Sequence, residues 1–177
     1  MAERDAALIV IDVQDKLFRL MHERQALLER LQQMIRGARA LELPVVWAEQ
    51  YPTGMGSTVG EVAELLDGAP IAKKTFSCWA HPPLRRAIRD TGADRFLLVG
   101  IEAHVCVFQT ARDLLGAGRR VEVVCDCVSS RSAADRQLGL ERIAQQGGRW
   151  TGVEMLLFDL LGSADDAAFK QVLPIVK

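Results

Sequence analysis

Residues 95–118, RFLLVGIEAHVCVFQTARDLLGAG, read as a strand running directly into a helix. Arg95–Ile101 is a short apolar run rich in branched side chains, the pattern of a strand buried on both faces. Beyond it, Val107, Thr110, Ala111 and Leu114 recur at helical spacing, and Gly116-Ala117-Gly118 stops the helix. The same alternation extends in both directions. Toward the N-terminus, residues 7–12 (ALIVID) form a strand, and Leu27, Leu31, Met34, Ala38 and Leu41 lie on one face of a helix of about four turns. After Pro44, residues 45–48 predict a second strand, residues 51–57 a loop, 59–66 a short helix, 70–73 a third strand and 82–90 a helix. Toward the C-terminus, residues 120–127 read as strand and 133–146 as helix with Ser132 as N-cap. Residues 149–151 then read as strand, 153–161 as helix, with a final helix from about Ala164. Strands alternating with helices predict an α/β protein. The expected architecture is a three-layer Rossmann-like fold with a central, mostly parallel six-stranded sheet covered by helices on both faces, in one domain spanning 1–177.

Composition narrows the function. The 177 residues are 49% apolar and carry 22 Lys and Arg against 23 Asp and Glu. That balance argues against a nucleic-acid partner or a polybasic membrane anchor. The opening MAERDAALIVIDVQDK has an apolar run too short for a membrane span and already interrupted by Asp12, and it does not read as an export signal. Cys78, Cys106, Cys125 and Cys127 are therefore expected as thiols, and the cytoplasm as the location.

In a parallel sheet, sites gather at the carboxyl ends of the strands. Three such ends carry reactive groups: Asp12 after the first strand, Lys73 (with Lys74 beside it) at the third, and Cys106 after the fourth. A cysteine opening a helix has its thiolate favoured by the helix dipole. A carboxylate can take its proton, and an ammonium can keep that carboxylate ionised. Each residue also has a plain structural use: Cys106 as a small buried apolar group, Asp12 as a cap, Lys73 or Lys74 as a solvated strand end.

The stretches IVIDVQDK (9–16), AKKTFSCW (72–79), LVGIEAHVCVFQTARDLLGAG (98–118) and VVCDCVSSRSAADR (123–136) resemble the isochorismatase-like cysteine hydrolase superfamily, which includes nicotinamidases. The loop AEQYPTGMGSTV (48–59) is most similar to the isochorismatase-domain-containing subgroup. The resemblance implies Asp12 as general base, Cys106 as nucleophile and Lys73, four residues before Ser77, as the triad lysine, with Lys74 the alternative one residue away. It also implies a cis peptide at Ile101–Glu102 and an oxyanion hole made by the backbone N–H groups of Glu102 and Cys106. Many relatives carry Ala-Thr where this chain has Glu102-Ala103. The implied chemistry is hydrolysis of a small amide-like or related carbonyl compound through a thioester. Homo-oligomers, dimer or tetramer, are what the resemblance implies for assembly.

Gln14, Phe18, Tyr51 and Trp79 follow the motifs and are candidates for lining the substrate pocket. No cofactor is expected. The nicotinamidase metal element, an Asp-x-His and a further His, is replaced here by Ala48-Glu49-Gln50-Tyr51, so no metal is expected either. His104 lies two residues before Cys106 but reads as a rim residue. Cys125-Asp126-Cys127 lies on a strand, so both thiols are expected on the same side, as core or as a redox pair. A retained fold with a vestigial site, serving as a binding partner, is the alternative from another class.

Overall fold

The computed structural model describes residues 5–177. Six strands form one sheet: β1 (Ala6–Ile11), β2 (Val45–Gln50), β3 (Ile71–Lys73), β4 (Arg95–Ile101), β5 (Arg120–Ser129) and β6 (Arg149–Thr151). Their order is β3-β2-β1-β4-β5-β6, and every pairing is parallel. The fold is thus α/β with a sheet covered on both faces, fully parallel where the sequence predicted mostly parallel. Successive residues of β1 divide between two cores. Ala6, Leu8 and Val10 join one cluster, and Ala7, Ile9 and Ile11 join the other. All six are buried. This is why the first strand shows no polar alternation in the sequence.

The first cluster is closed by α2 (Arg24–Ala40), α8 (Val153–Leu161) and α9 (Phe169–Val176). The second is closed by α5 (Pro82–Asp90), α6 (Phe108–Gly116) and α7 (Ala133–Gln145). Three one-turn helices, α1 (Asp15–Phe18), α3 (Pro52–Met55) and α4 (Gly60–Ala63), lie in the loops of the first half. Ser132 caps α7, its hydroxyl accepting the Asp135 N–H at 3.1 Å, as the sequence predicts. The chain reverses direction across the sheet between β1 and β4, which makes their carboxyl ends the switch-point crevice.

Four local readings change. Residues 52–55, assigned to loop, make a helical turn begun by Pro52. The last helix begins at Phe169 rather than near Ala164. Ser163 and Asp166 side chains accept the N–H groups of Asp165 and Ala168 and hold the segment in turns instead. Cys106 does not open an α-helix. It lies inside a π-helical turn, Ala103–Val107, that leads into α6. Finally, the two thiols of Cys125-Asp126-Cys127 do not share a face. A two-residue step on β4 (Leu98 to Gly100) is met by a five-residue step on β5 (Val123 to Val128). Through this bulge Cys127 enters the first core while Cys125 packs against the second.

Gly100 fixes how closely β1 and β4 approach at the switch point. Its φ is +114°, and a Cβ built there would lie 2.0 Å from the Ile11 carbonyl oxygen. Both strands would have to part, moving Asp12 and Cys106 away from one another. Gly100→Ala is expected to cost about 2–6 kcal/mol from backbone strain and overpacking. At roughly 2–4 °C per kcal/mol for a chain of this size, the melting temperature should fall by about 5–20 °C. Gly116→Ala, whose Cβ would meet open space, is the control and should leave the melt nearly unchanged.

Candidate active site

Asp12 follows the last residue of β1 with φ +53°, a left-handed kink that ends the strand. Its carboxylate is fully buried, and Oδ2 accepts from Lys73 Nζ at 2.6 Å. Both side chains are closed to solvent, so this ion pair has no water to screen it. Lys73, not its neighbour Lys74, makes the contact. Lys74 is exposed and sits 5.7 Å from the centroid of the Tyr51 ring.

Lys73 is held from a second side. Gln50, its partner in the β2–β3 register, turns Oε1 onto Nζ at 2.7 Å. The other end of the Gln50 amide donates to the Lys74 carbonyl at 2.9 Å, which fixes which atom faces the ammonium. The sequence reading missed Gln50 as a site residue, since a glutamine at a strand end carries no distinctive pattern. Glu49 was also passed over. It is buried, accepts from the backbone N–H and hydroxyl of Thr58 at 2.7 and 2.8 Å, and its charge acts on Asp12.

Cys106 is 5% exposed and joins the second core cluster. The turn that carries it is tied down on all sides. Glu102 Oε1 accepts from Arg131 Nε at 2.9 Å, and His104 Nδ1 meets Ser130 Oγ at 2.9 Å. From beneath, a Cβ on Gly139 of α7 would lie 2.6 Å from the Ala103 carbonyl, so only glycine lets the helix approach. The Ile101–Glu102 peptide leading into the turn is cis.

Burial pushes the Asp12 carboxyl above its ordinary value, while the Lys73 charge and hydrogen bonding with Lys73 and Cys106 pull it back. Burial opposes the Lys73 charge, but Asp12 beside it holds the ammonium above the usual lysine range. Burial also pushes the Cys106 thiol well above the ordinary cysteine range, and the Asp12 charge adds to it. This reverses the expectation of a thiolate favoured by a helix dipole. In the resting protein the thiol keeps its proton beside a carboxylate able to accept it. Asp12 Oδ1 is buried and has no hydrogen-bond donor among the described residues.

The four candidate pocket residues separate. Gln14 is buried. Its amide accepts from the Gln50 N–H at 2.6 Å and donates to the carbonyls of Gln50 and Gly56, so it braces Gln50. Phe18 packs on the first core, across the sheet from Cys106, and also lines a second open cavity of about 470 Å³ with Lys16, Leu28 and Thr58. Trp79 is half-buried against the second core, with the Arg89 guanidinium 5.7 Å from its ring centroid. Tyr51 alone is largely exposed, and with Lys73, Lys74 and His81 it lines an open cavity of about 610 Å³. Among the described residues, no group of three or more His, Cys, Asp or Glu side chains could hold a metal ion.

The isochorismatase domain matches residues 6–155, and the chain belongs to that family. Isochorismatase domain-containing protein 1 of Danio rerio is 41% identical over 147 residues, covering 82% of this chain and 52% of that protein. The chain thus spans about half the length of that relative. The secreted isochorismatase effector Isc1 of Phytophthora sojae is 37% identical over 177 residues, covering 97% and 84%. Among solved structures, the MAR1 ribonuclease of Caenorhabditis elegans superposes with a TM-score of 0.92 at 36% identity, over 99% of this chain and 91% of that one.

Lys73→Met tests the buried pair. Breaking such a pair leaves an unpaired carboxylate and costs about 3–5 kcal/mol. Without Lys73 the folded-state pKa of Asp12 rises further above its unfolded value. The folded state then binds the extra proton, and stability is lost as pH rises through that pKa. Thermal melts should therefore show a larger deficit against the wild type at pH 8 than at pH 5. An equal deficit at both would mean that Asp12 is not the group left unpaired.

Proposed function

We propose that the protein is a cysteine hydrolase of the isochorismatase family that cleaves a small amide-like (C–N) or related carbonyl compound without a metal or other cofactor. The observation that carries the reading is the buried Lys73–Asp12 pair at 2.6 Å, whose carboxyl also interacts with the Cys106 thiol. Asp12 acts as general base, taking the Cys106 proton as sulfur attacks the substrate carbonyl. Lys73 keeps the carboxylate ionised until that moment. The backbone N–H groups of Glu102 and Cys106 hold the oxyanion, a contribution of about 2.7–4 kcal/mol for one such donor. Asp12 then protonates the leaving amine, and water that it activates hydrolyses the thioester. The raised carboxyl pKa suits a group that must both accept and return a proton.

Tyr51 lines the open cavity together with Lys73, and we assign it to substrate contact. The name of the C. elegans structure brings RNA cleavage into view. Binding an RNA backbone calls for several Lys or Arg phosphate contacts. Here Arg131 is matched by Glu102, Lys73 by Asp12, and the net charge is −1, which favours a small molecule. The near closure of Cys106 is the one observation favouring a vestigial site kept for binding. We place the protein in the cytoplasm as a homo-oligomer, dimer or tetramer.

The test is a screen of small amides with mass spectrometry of the protein during turnover. An acyl adduct should appear on Cys106, and Cys106→Ser and Asp12→Asn should each lower turnover by about 10³-fold or more. No adduct and no turnover across diverse amides would move the reading to the vestigial site. Independently of substrate, Asp12→Asn removes a negative charge beside the thiol, so its pKa must fall. Alkylation of Cys106 should therefore begin at lower pH than in the wild type. A profile that does not move would dissociate Asp12 from the nucleophile.

A further inference from the structure

A second thiol that the proposed reaction does not use lies on the same side of the sheet as Cys106. Cys78 has no exposed surface and belongs to the same buried cluster. Its backbone N–H donates to Thr110 Oγ1 at 3.0 Å, and Thr110 is itself fully buried. Thr110 stands four residues after Cys106 on the continuous helical segment formed by the π-helical turn and α6. Side chains at that spacing are neighbours, with Cβ atoms about 5–6 Å apart. A helical side chain also leans toward the start of its helix, so Thr110 points back toward Cys106. The segment carrying Cys78 is therefore docked on the helical face that bears the nucleophile, one turn away. The electrostatics agree: the Lys73 charge lowers both thiols, and Cys78 acts on Cys106. The remaining thiols are placed differently. Cys127 is in the opposite core, and Cys125 lies on β5 with its carbonyl bonded to Arg136.

We propose that Cys78 and Cys106 form an oxidative modification site, in which Cys78 is the resolving thiol for a Cys106 oxidised by a hydroperoxide. In the first step the Cys106 sulfur attacks the terminal peroxide oxygen and the O–O bond breaks. Asp12 relays the thiol proton to the departing alkoxide or hydroxide. Sulfur is oxidised by two electrons to a sulfenic acid, and the peroxide is reduced to an alcohol or water. In the second step the Cys78 sulfur attacks the Cys106 sulfur and the S–O bond breaks. The hydroxide leaves with the Cys78 proton as water, and a Cys78–Cys106 disulfide remains. Exchange with two equivalents of a small thiol returns both cysteines. The disulfide blocks the nucleophile and spares it from irreversible oxidation. Cys78 has no exposed surface while Cys106 keeps a small one, so oxidant reaches Cys78 by way of Cys106.

This site makes a prediction that needs no substrate, and its failure is separate from failure of the hydrolase reading. Native protein is treated with graded hydrogen peroxide, free thiols are blocked, and disulfides are mapped by mass spectrometry. The expected product is a cross-linked Cys78–Cys106 peptide, with labelling lost at both positions together and restored by dithiothreitol. In Cys106→Ser, Cys78 should stay reduced at peroxide levels that fully oxidise the wild type. In Cys78→Ala, Cys106 should proceed to sulfinic acid. Recovery of sulfinic acid at Cys106 beside a free Cys78 in the wild type would overturn the proposal. So would a Cys125–Cys127 disulfide in its place, or a Cys106 that peroxide leaves unchanged. The wild-type map decides the matter even if Cys78→Ala does not fold.

Discussion

Two opposite charges, Lys73 Nζ and Asp12 Oδ2, meet at 2.6 Å in a place that water does not reach. Removing both from solvent costs several kcal/mol per ion, and their attraction offsets this only with good geometry and further hydrogen bonds. Much of the carboxyl edge of the sheet supplies those conditions. Gln50 gives the ammonium a neutral second acceptor. Lys74 fixes the Gln50 amide through its carbonyl, and Gln14 holds the Gln50 backbone. A chain of hydrogen bonds thus runs from the loop after β1 through β2 to β3. Gln14, Gln50 and Lys73 are linked in turn by these bonds, while Asp12 Oδ1 is left without a donor among the described residues.

On the other side of Asp12 the constraint is steric. Gly100 brings β4 against the Ile11 carbonyl, and Gly139 brings α7 against the Ala103–His104 peptide. The turn carrying Cys106 is squeezed between these contacts and tied to the end of β5 by the Glu102–Arg131 and His104–Ser130 pairs. The positions of Asp12 and Cys106 thus depend on close backbone packing at these two glycines. In such a site a misplacement of about 1 Å is costly for any reaction between them. The pair also explains the electrostatics. Burial and the Asp12 charge both raise the Cys106 thiol, and burial raises Asp12 itself.

The order of elements and the chemistry at the strand ends were legible in the sequence because both are local properties. Arg95–Ile101, Pro82–Asp90, Arg149–Thr151 and Val153–Leu161 have the same bounds in the structure as in the sequence reading. Strand-helix alternation forces a parallel sheet, and a parallel sheet directs attention to the residues after each strand. That rule singles out Asp12, Lys73 and Cys106, and the structure pairs Asp12 with Lys73, not Lys74.

What the sequence could not determine depends on segments far apart in the chain. The π-helical turn arises where α7 presses on residues 103–104, a contact set by a glycine at position 139. The bulge in β5 separates Cys125 from Cys127 because β4 and β5 lose register between Leu98 and Gly100, which a two-residue alternation rule cannot anticipate. Gln14 looks like a pocket residue from its place after a motif, and packing makes it a brace for Gln50, whereas Phe18 both joins the first core and lines a cavity. The backbone of Cys78 is tied to the helix that follows Cys106 by the Thr110 hydroxyl, a contact between residues 32 apart in the chain. Residue type and period determined which groups could do chemistry. Desolvation and close packing in three dimensions decided which of them share an environment, and in which protonation state they wait.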